Sequence, residues 1–187
     1  MRKILFILLL SFLFVSCEFL PLVDDILSII EEENYYDETL DKNSLDGIRQ
    51  NALWYAKEYC KYDTVYSMSG QDVIPPRALR VDCSGMVINC YKYAISNTDY
   101  KLPFTDASAY SLFSQYTTPT NAPQPGDLIF LTYTGGKVGH VGIFVKEQGG
   151  KVYFIDSSEA DSSKAVQQRS YLKTDSKIVG YGVMKFR

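Results

Sequence analysis

Pro125-Gly126-Asp127-Leu128-Ile129-Phe130-Leu131 is where the chain's apolar pattern changes from helical spacing to extended runs. Upstream, Ser44 is a fitting N-cap for a helix whose Ile48, Ala52, Tyr55, Ala56 and Tyr59 fall on one face. A second helix is expected to begin at Cys83, with Val87, Cys90, Tyr91 and Ala94 as its apolar stripe and an end near Ser96-Asn97. Between them, Tyr66 to Arg80 holds Gly70 and Pro75-Pro76 and reads as irregular. A short third helix is expected from Asp106, with Tyr110 and Phe113 turned inward. Downstream, Asp127 to Tyr133, Val138 to Lys146, Lys151 to Asp156 and Ile178 to Phe186 read as strands, with Gly135-Gly136 and Gly149-Gly150 as hairpin turns. Helices first and strands afterwards predict an α+β domain built on an antiparallel sheet.

A chain of 187 residues suits one domain with extensions. Its 46% hydrophobic and 14% aromatic content is enough for a sizeable core. The formal charge of -3 leaves no basic footprint for nucleic acid, which is excluded as a partner. With one histidine and no Cys-x-x-Cys spacing, zinc has no ligand set, and no metal or other cofactor is expected.

The chemistry is concentrated in Val81-Asp82-Cys83-Ser84-Gly85-Met86-Val87, which delivers a cysteine to a helix start. Helix N-termini and neighbouring imidazoles lower cysteine pKa values into the range of about 3.5 to 7.5. If Cys83 needs an imidazole base, the single histidine, His140, must supply it. The pair points to covalent catalysis by a thiolate. Alternation puts Val138 and His140 on one face of their strand and Val141 and Ile143 on the other, so the histidine can face the helix. Gly139 and Gly142 beside it, and Ser84 and Gly85 beside the thiol, are small enough to admit a ligand to the backbone. The Cys83 amide, in a helix's unpaired first turn, is a candidate oxyanion donor.

The order Asp82-Cys83-Ser84-Gly85, then Pro125-Gly126-Asp127-Leu128, then Gly139-His140-Val141-Gly142-Ile143 resembles the NlpC family of papain-like cell-wall cysteine peptidases. The likeness runs from about Ile48 to Phe186-Arg187. It implies a papain-like fold with N-terminal helices on a C-terminal antiparallel sheet. It also implies a third polar group on the strand after the histidine, where Val152-Tyr153-Phe154-Ile155-Asp156 offers Asp156. The family more often has histidine, asparagine or glutamine there. A carboxylate can still fix the imidazole, the alternative being that Asp156 only opens the following loop. Tyr66, Asp82, Ser84 and Ser108 match substrate-side positions of the family, although the tryptophan usual after the tyrosine is missing and Thr105 stands where an arginine is common.

The implied reaction is hydrolysis of peptidoglycan stem peptides or muropeptides between γ-D-glutamate and a diamino acid. An amidase or acyltransferase on the same fold, or a non-catalytic wall-binding lipoprotein, are the alternatives. Retention of both Cys83 and His140 argues against pure binding.

Met1-Arg2-Lys3 and the apolar run Ile4 to Val15 form a secretory leader too short to span a membrane. Phe14-Val15-Ser16-Cys17 is similar to a bacterial lipobox with Phe14 in the usual leucine position; an ordinary signal peptide with an incidental cysteine is the other reading. The expected organisation is a signal peptide over 1–16, a lipid-anchored acidic spacer over 17–42 and a catalytic domain over 43–187. Cys17 is then the lipidated residue and a membrane of the cell envelope the anchoring partner. Of the four cysteines, Cys60 and Cys90 remain, expected unpaired on apolar helix faces.

Overall fold

The computed structural model describes residues 40–74, 79–133, 135–160 and 164–187, within a compact unit spanning Glu38–Arg187. The leader, Cys17 and almost all of the spacer lie outside the described residues. Helix α1 (Leu45–Tyr59) starts where expected, because Ser44 Oγ accepts the Gly47 amide at 3.0 Å. Ile48, Ala52, Ala56 and Tyr59 are buried, and Tyr55, on the margin of that face, stacks on Tyr93 with ring centroids 4.8 Å apart.

Helix α2 (Cys83–Ala94) begins at the predicted cysteine, capped by Asp82. It stops at Ile95, earlier than the sequence pattern indicated. The segment expected to be irregular contains a short parallel pair, β1 (Thr64–Tyr66) with β2 (Leu79–Val81), which leads directly into the Cys83 turn.

The main sheet follows in order β3 (Thr117–Thr120), β8 (Ile178–Met184), β4 (Leu128–Leu131), β5 (His140–Gln148), β6 (Lys151–Ser157) and β7 (Val166–Leu172), every pairing antiparallel. The α+β expectation is met, with α1 and α2 packed against β5 and β6. Gly149 and Gly150, at φ 59 and 74, make the tight β5–β6 turn, whose left-handed backbone suits glycine. Gly135 and Gly136 instead sit in a longer connection.

Strands β3 and β7 were not anticipated. Both are sheet edges: β3 contains Pro119, and β7 reads Val-Gln-Gln-Arg-Ser-Tyr-Leu, too polar to show an apolar alternation. The expected third helix is a single turn, Ala109–Ser111, continued by a π-helical Leu112–Tyr116. Its buried residues are Ala109 and Leu112, Phe113 meets Phe130 edge-on at 5.2 Å, and Tyr110 is exposed rather than inward.

Candidate functional site

The thiol is positioned by the loop before α2. Asp82 Oδ1 accepts the Gly85 amide at 2.6 Å and the Ser84 hydroxyl at 3.0 Å, while Oδ2 accepts the Ser69 amide at 2.8 Å. Ser69 has φ 60, a left-handed turn held in place by that bond and by the Gly70 amide donating to Ser67 O at 2.7 Å. A Cβ on Gly85 would come within 2.2 Å of Gly70 O. Gly85 is therefore required by packing of this turn. At the other end of the site, Ser157 Oγ donates to Val81 O at 2.8 Å and ties β6 to the approach to Cys83.

His140 opens β5 opposite Leu131 of β4. Its face is shared with Ile129 and Leu131 and, across β6, with Phe154, while Val141 and Ile143 lie opposite Phe130 and Leu128 on the other. Apolar residues thus occupy both faces of the sheet here. Gly142 is required by packing as well. A Cβ there would stand 2.8 Å from Ile155 O and 3.1 Å from Asp156 Cβ, so its missing side chain lets β6 bring Asp156 close. Around Gly139 the space is open.

His140 Nε2 lies 2.6 Å from Asp156 Oδ2, and Cys83 lies close enough to the imidazole to act on its charge. A carboxylate accepts and cannot donate. Nε2 therefore carries the proton toward Asp156, which leaves Nδ1 for the sulfur. All three residues are buried. Burial disfavours the imidazolium, but the bond to Asp156 and the influence of Cys83 outweigh it and raise the His140 pKa to about 9. By contrast, burial pushes the Cys60 thiol up to about 11 and that of Cys90 well above its ordinary value; both are unpaired. Such thiols are inert at neutral pH.

Tyr66 lies close enough to feel the charges of Cys83, Asp82 and Glu159, and burial followed by those charges pushes its hydroxyl up to about 12. The expected substrate-side residues Asp82, Ser84 and Tyr66 thus gather at the thiol. The described contacts of Ser108 are local: its hydroxyl caps Ser111 N at 3.2 Å and meets Ser111 Oγ at 3.0 Å.

Two neighbours of the histidine escaped sequence reasoning. Tyr133, half-exposed just after β4, tilts its ring over His140 with centroids 5.2 Å apart, and burial followed by the nearby charge of Asp156 pushes its hydroxyl pKa up. Arg169 of β7 donates from Nη1 to Asp156 Oδ1. Neither belongs to a local motif. The sole signal for Arg169 was a cation in an otherwise uncharged strand.

The model of the NlpC/P60 family matches residues 63–180, a span that includes Cys83, His140, Asp156 and Arg169. The chain belongs to the NlpC/P60 family. Among solved structures, this NlpC/P60 chain is similar to the NlpC/p60 domain of peptidoglycan hydrolase SagA, with 22% identity, a TM-score of 0.46, and coverage of 73% of this chain and 98% of that one. It is also similar to Ly7917, at 14% identity and TM-score 0.49, and to Ly7917 with the hydrolyzing product of MDP, at 13% and 0.48. In both comparisons 73% of this chain covers 62% of the other, so the likeness spans less than two thirds of Ly7917. No curated protein sequence matches the chain.

Proposed function

We propose that this NlpC/P60 protein hydrolyses amide bonds of bacterial peptidoglycan stem peptides, between γ-D-glutamate and a diamino acid. Family membership supports the coarser reading, a hydrolase of cell-wall peptides. The observation that carries the chemistry is a buried imidazole hydrogen-bonded to a carboxylate and set beside a helix-start thiol. Charge on such an imidazole is stabilised from both sides, which favours an imidazolium–thiolate couple ready for nucleophilic attack.

In this reading Cys83 Sγ attacks the γ-glutamyl carbonyl carbon, and the Cys83 amide faces the oxygen that becomes negative. His140 gives its Nδ1 proton to the departing amine as the C–N bond breaks, leaving a thioester. Water then enters, His140 takes one of its protons, and the hydroxide attacks the thioester carbon. The carboxylic acid leaves and the thiol is restored. Asp156 holds the ring throughout. On the acyl side, Asp82 Oδ2 accepts one described amide and retains a lone pair with which to read the free ammonium of a stem peptide released from sugar. Ser84, Tyr66 and Ser108 complete the expected substrate side.

Anchoring through a lipidated Cys17 belongs to the same proposal and is supported by the run from Arg2 to Cys17. Acyl chains contribute about 0.8 kcal/mol per buried methylene, enough for multiple acylation to hold the protein at a membrane. Mass spectrometry of muropeptides after incubation with the protein tests the substrate assignment. New termini at γ-D-glutamate support it, while release of intact stem peptides from sugar identifies an amidase instead.

A further inference from the structure

We propose, on the reading of Cys83 and His140 given above, that Arg169 is a positioning residue for the catalytic couple, acting through Asp156. The carboxylate is used from both sides: Oδ2 meets His140 Nε2 at 2.6 Å, and Oδ1 takes Arg169 Nη1. Arg169 is itself held by backbone oxygens, with Nη2 3.3 Å from Ala165 O and Nη1 3.3 Å from Asp156 O. A guanidinium fixed at several points is a rigid fork. It locks the Asp156 rotamer and hence the ring of His140. Its charge also sets the local balance: Asp156 is almost wholly buried, and Arg169 supplies the counter-charge that burial in a poor dielectric demands.

A positive charge lodged behind the carboxylate acts on every proton equilibrium in front of it. Removing that charge makes the neighbouring protons harder to lose, whichever group holds them, so both limbs of the couple's titration move to higher pH. The groups facing the couple are Asp156 on β6 and Tyr133 after β4, with Tyr171 of β7, Lys57 and Cys60 at the end of α1, and Lys164 ahead of β7 close behind. Tyr66, Asp82 and Glu159 surround the thiol. Because these remain in the variants, the displacement reports Arg169 itself.

The test follows the rate of Cys83 alkylation by iodoacetamide against pH in the full chain, with the modified residue located by mass spectrometry. Wild type, Arg169→Gln, Arg169→Met and Arg169→Lys are compared after circular dichroism has established folding. Gln and Met should move the profile upward by roughly one pH unit, while Lys, which keeps the charge, should stay within about 0.3 unit. Superimposed profiles for wild type and a folded Gln or Met variant would overturn the proposal. Should neither neutral variant fold, Arg169→Ala decides by the same criterion: an upward displacement of about one pH unit in the folded protein supports the role, and a wild-type profile contradicts it. Alkylation needs no wall substrate. Failure to cleave stem peptides with the alkylation result intact would therefore count against the substrate assignment and leave the role of Arg169 standing.

Discussion

His140 Nε2 and Asp156 Oδ2 meet at 2.6 Å across the adjacent antiparallel strands β5 and β6, and Gly142 is what lets the strands carry them so close. A Cβ at Gly142 would need Ile155 O, Asp156 Cβ and Phe154 Cδ2 to retreat from 2.8, 3.1 and 3.2 Å. Backbone cannot yield as a side-chain tip can. The orienting carboxylate and the apolar sheet face therefore depend on one missing methyl group.

Gly142→Ala should accordingly lose stability and activity together. Overpacking costs about 1 to 3 kcal/mol, and displacement of Asp156 should lower kcat well beyond what the stability loss explains. Thermal unfolding and stem-peptide kinetics on the same preparation check this; a variant with wild-type Tm and kcat would show that the strands accommodate the methyl group.

Asp156→Ala should reduce kcat by about 10² or more, yet less than removal of Cys83 or His140. Asp156→Asn should retain more activity, because its amide oxygen can still accept the imidazole N–H. Equal kinetics in wild type and Asp156→Ala would mean that Asp156 does not orient the ring.

Stability should depend on pH in a direction fixed by His140. Its folded pKa of about 9 lies above the ordinary 6.5, so the folded state holds a proton that the unfolded chain releases. The contribution is complete below about 6.5 and is lost as pH rises through about 9. Denaturant midpoints should fall across that window, and the fall should flatten in His140→Asn. An equally steep fall in the variant would assign it to other groups.

The part of the fold that was legible in the sequence is the part with a strong period or a cap. Ser44 announces α1 by its capping chemistry, α2 shows in its apolar stripe, and β4, β5, β6 and β8 in their apolar content, whereas the Asp82 cap of α2 emerges only in the structure. Edge strands have no such signature, since one side of β7 meets solvent and Gln167, Arg169 and Ser170 suit it as well as a loop would. The β1–β2 pair was hidden because its partners lie on either side of Gly70 and Pro75-Pro76, and two three-residue strands are too short for alternation to register. In the site, Cys83, His140 and Asp156 come together from three separate elements, as motif order implied. Gly85 and Gly142 were attributed to ligand access because spacing cannot distinguish that from close packing. Arg169 reaches Asp156 through sheet register and Tyr133 reaches the histidine through a loop, neither of which a local pattern records.

Asp82 separates two roles that the sequence could not. Asp82→Ala removes the α2 cap and the tie to Ser69, and should cost about 1 kcal/mol or more of stability. Asp82→Asn preserves cap acceptance at one oxygen, and should slow cleavage of L-Ala-γ-D-Glu-diamino-acid peptides more than of their N-acetylated forms. Equal slowing on both would leave Asp82 with the loop alone.

The most direct test of the account is the rate at which L-Ala-γ-D-Glu-diamino-acid peptide is cleaved by wild type and by Cys83→Ala, followed by chromatography of the released diamino acid. The account predicts steady release by wild type and none above the uncatalysed rate by a folded Cys83→Ala protein. Release at the wild-type rate by folded Cys83→Ala would contradict it.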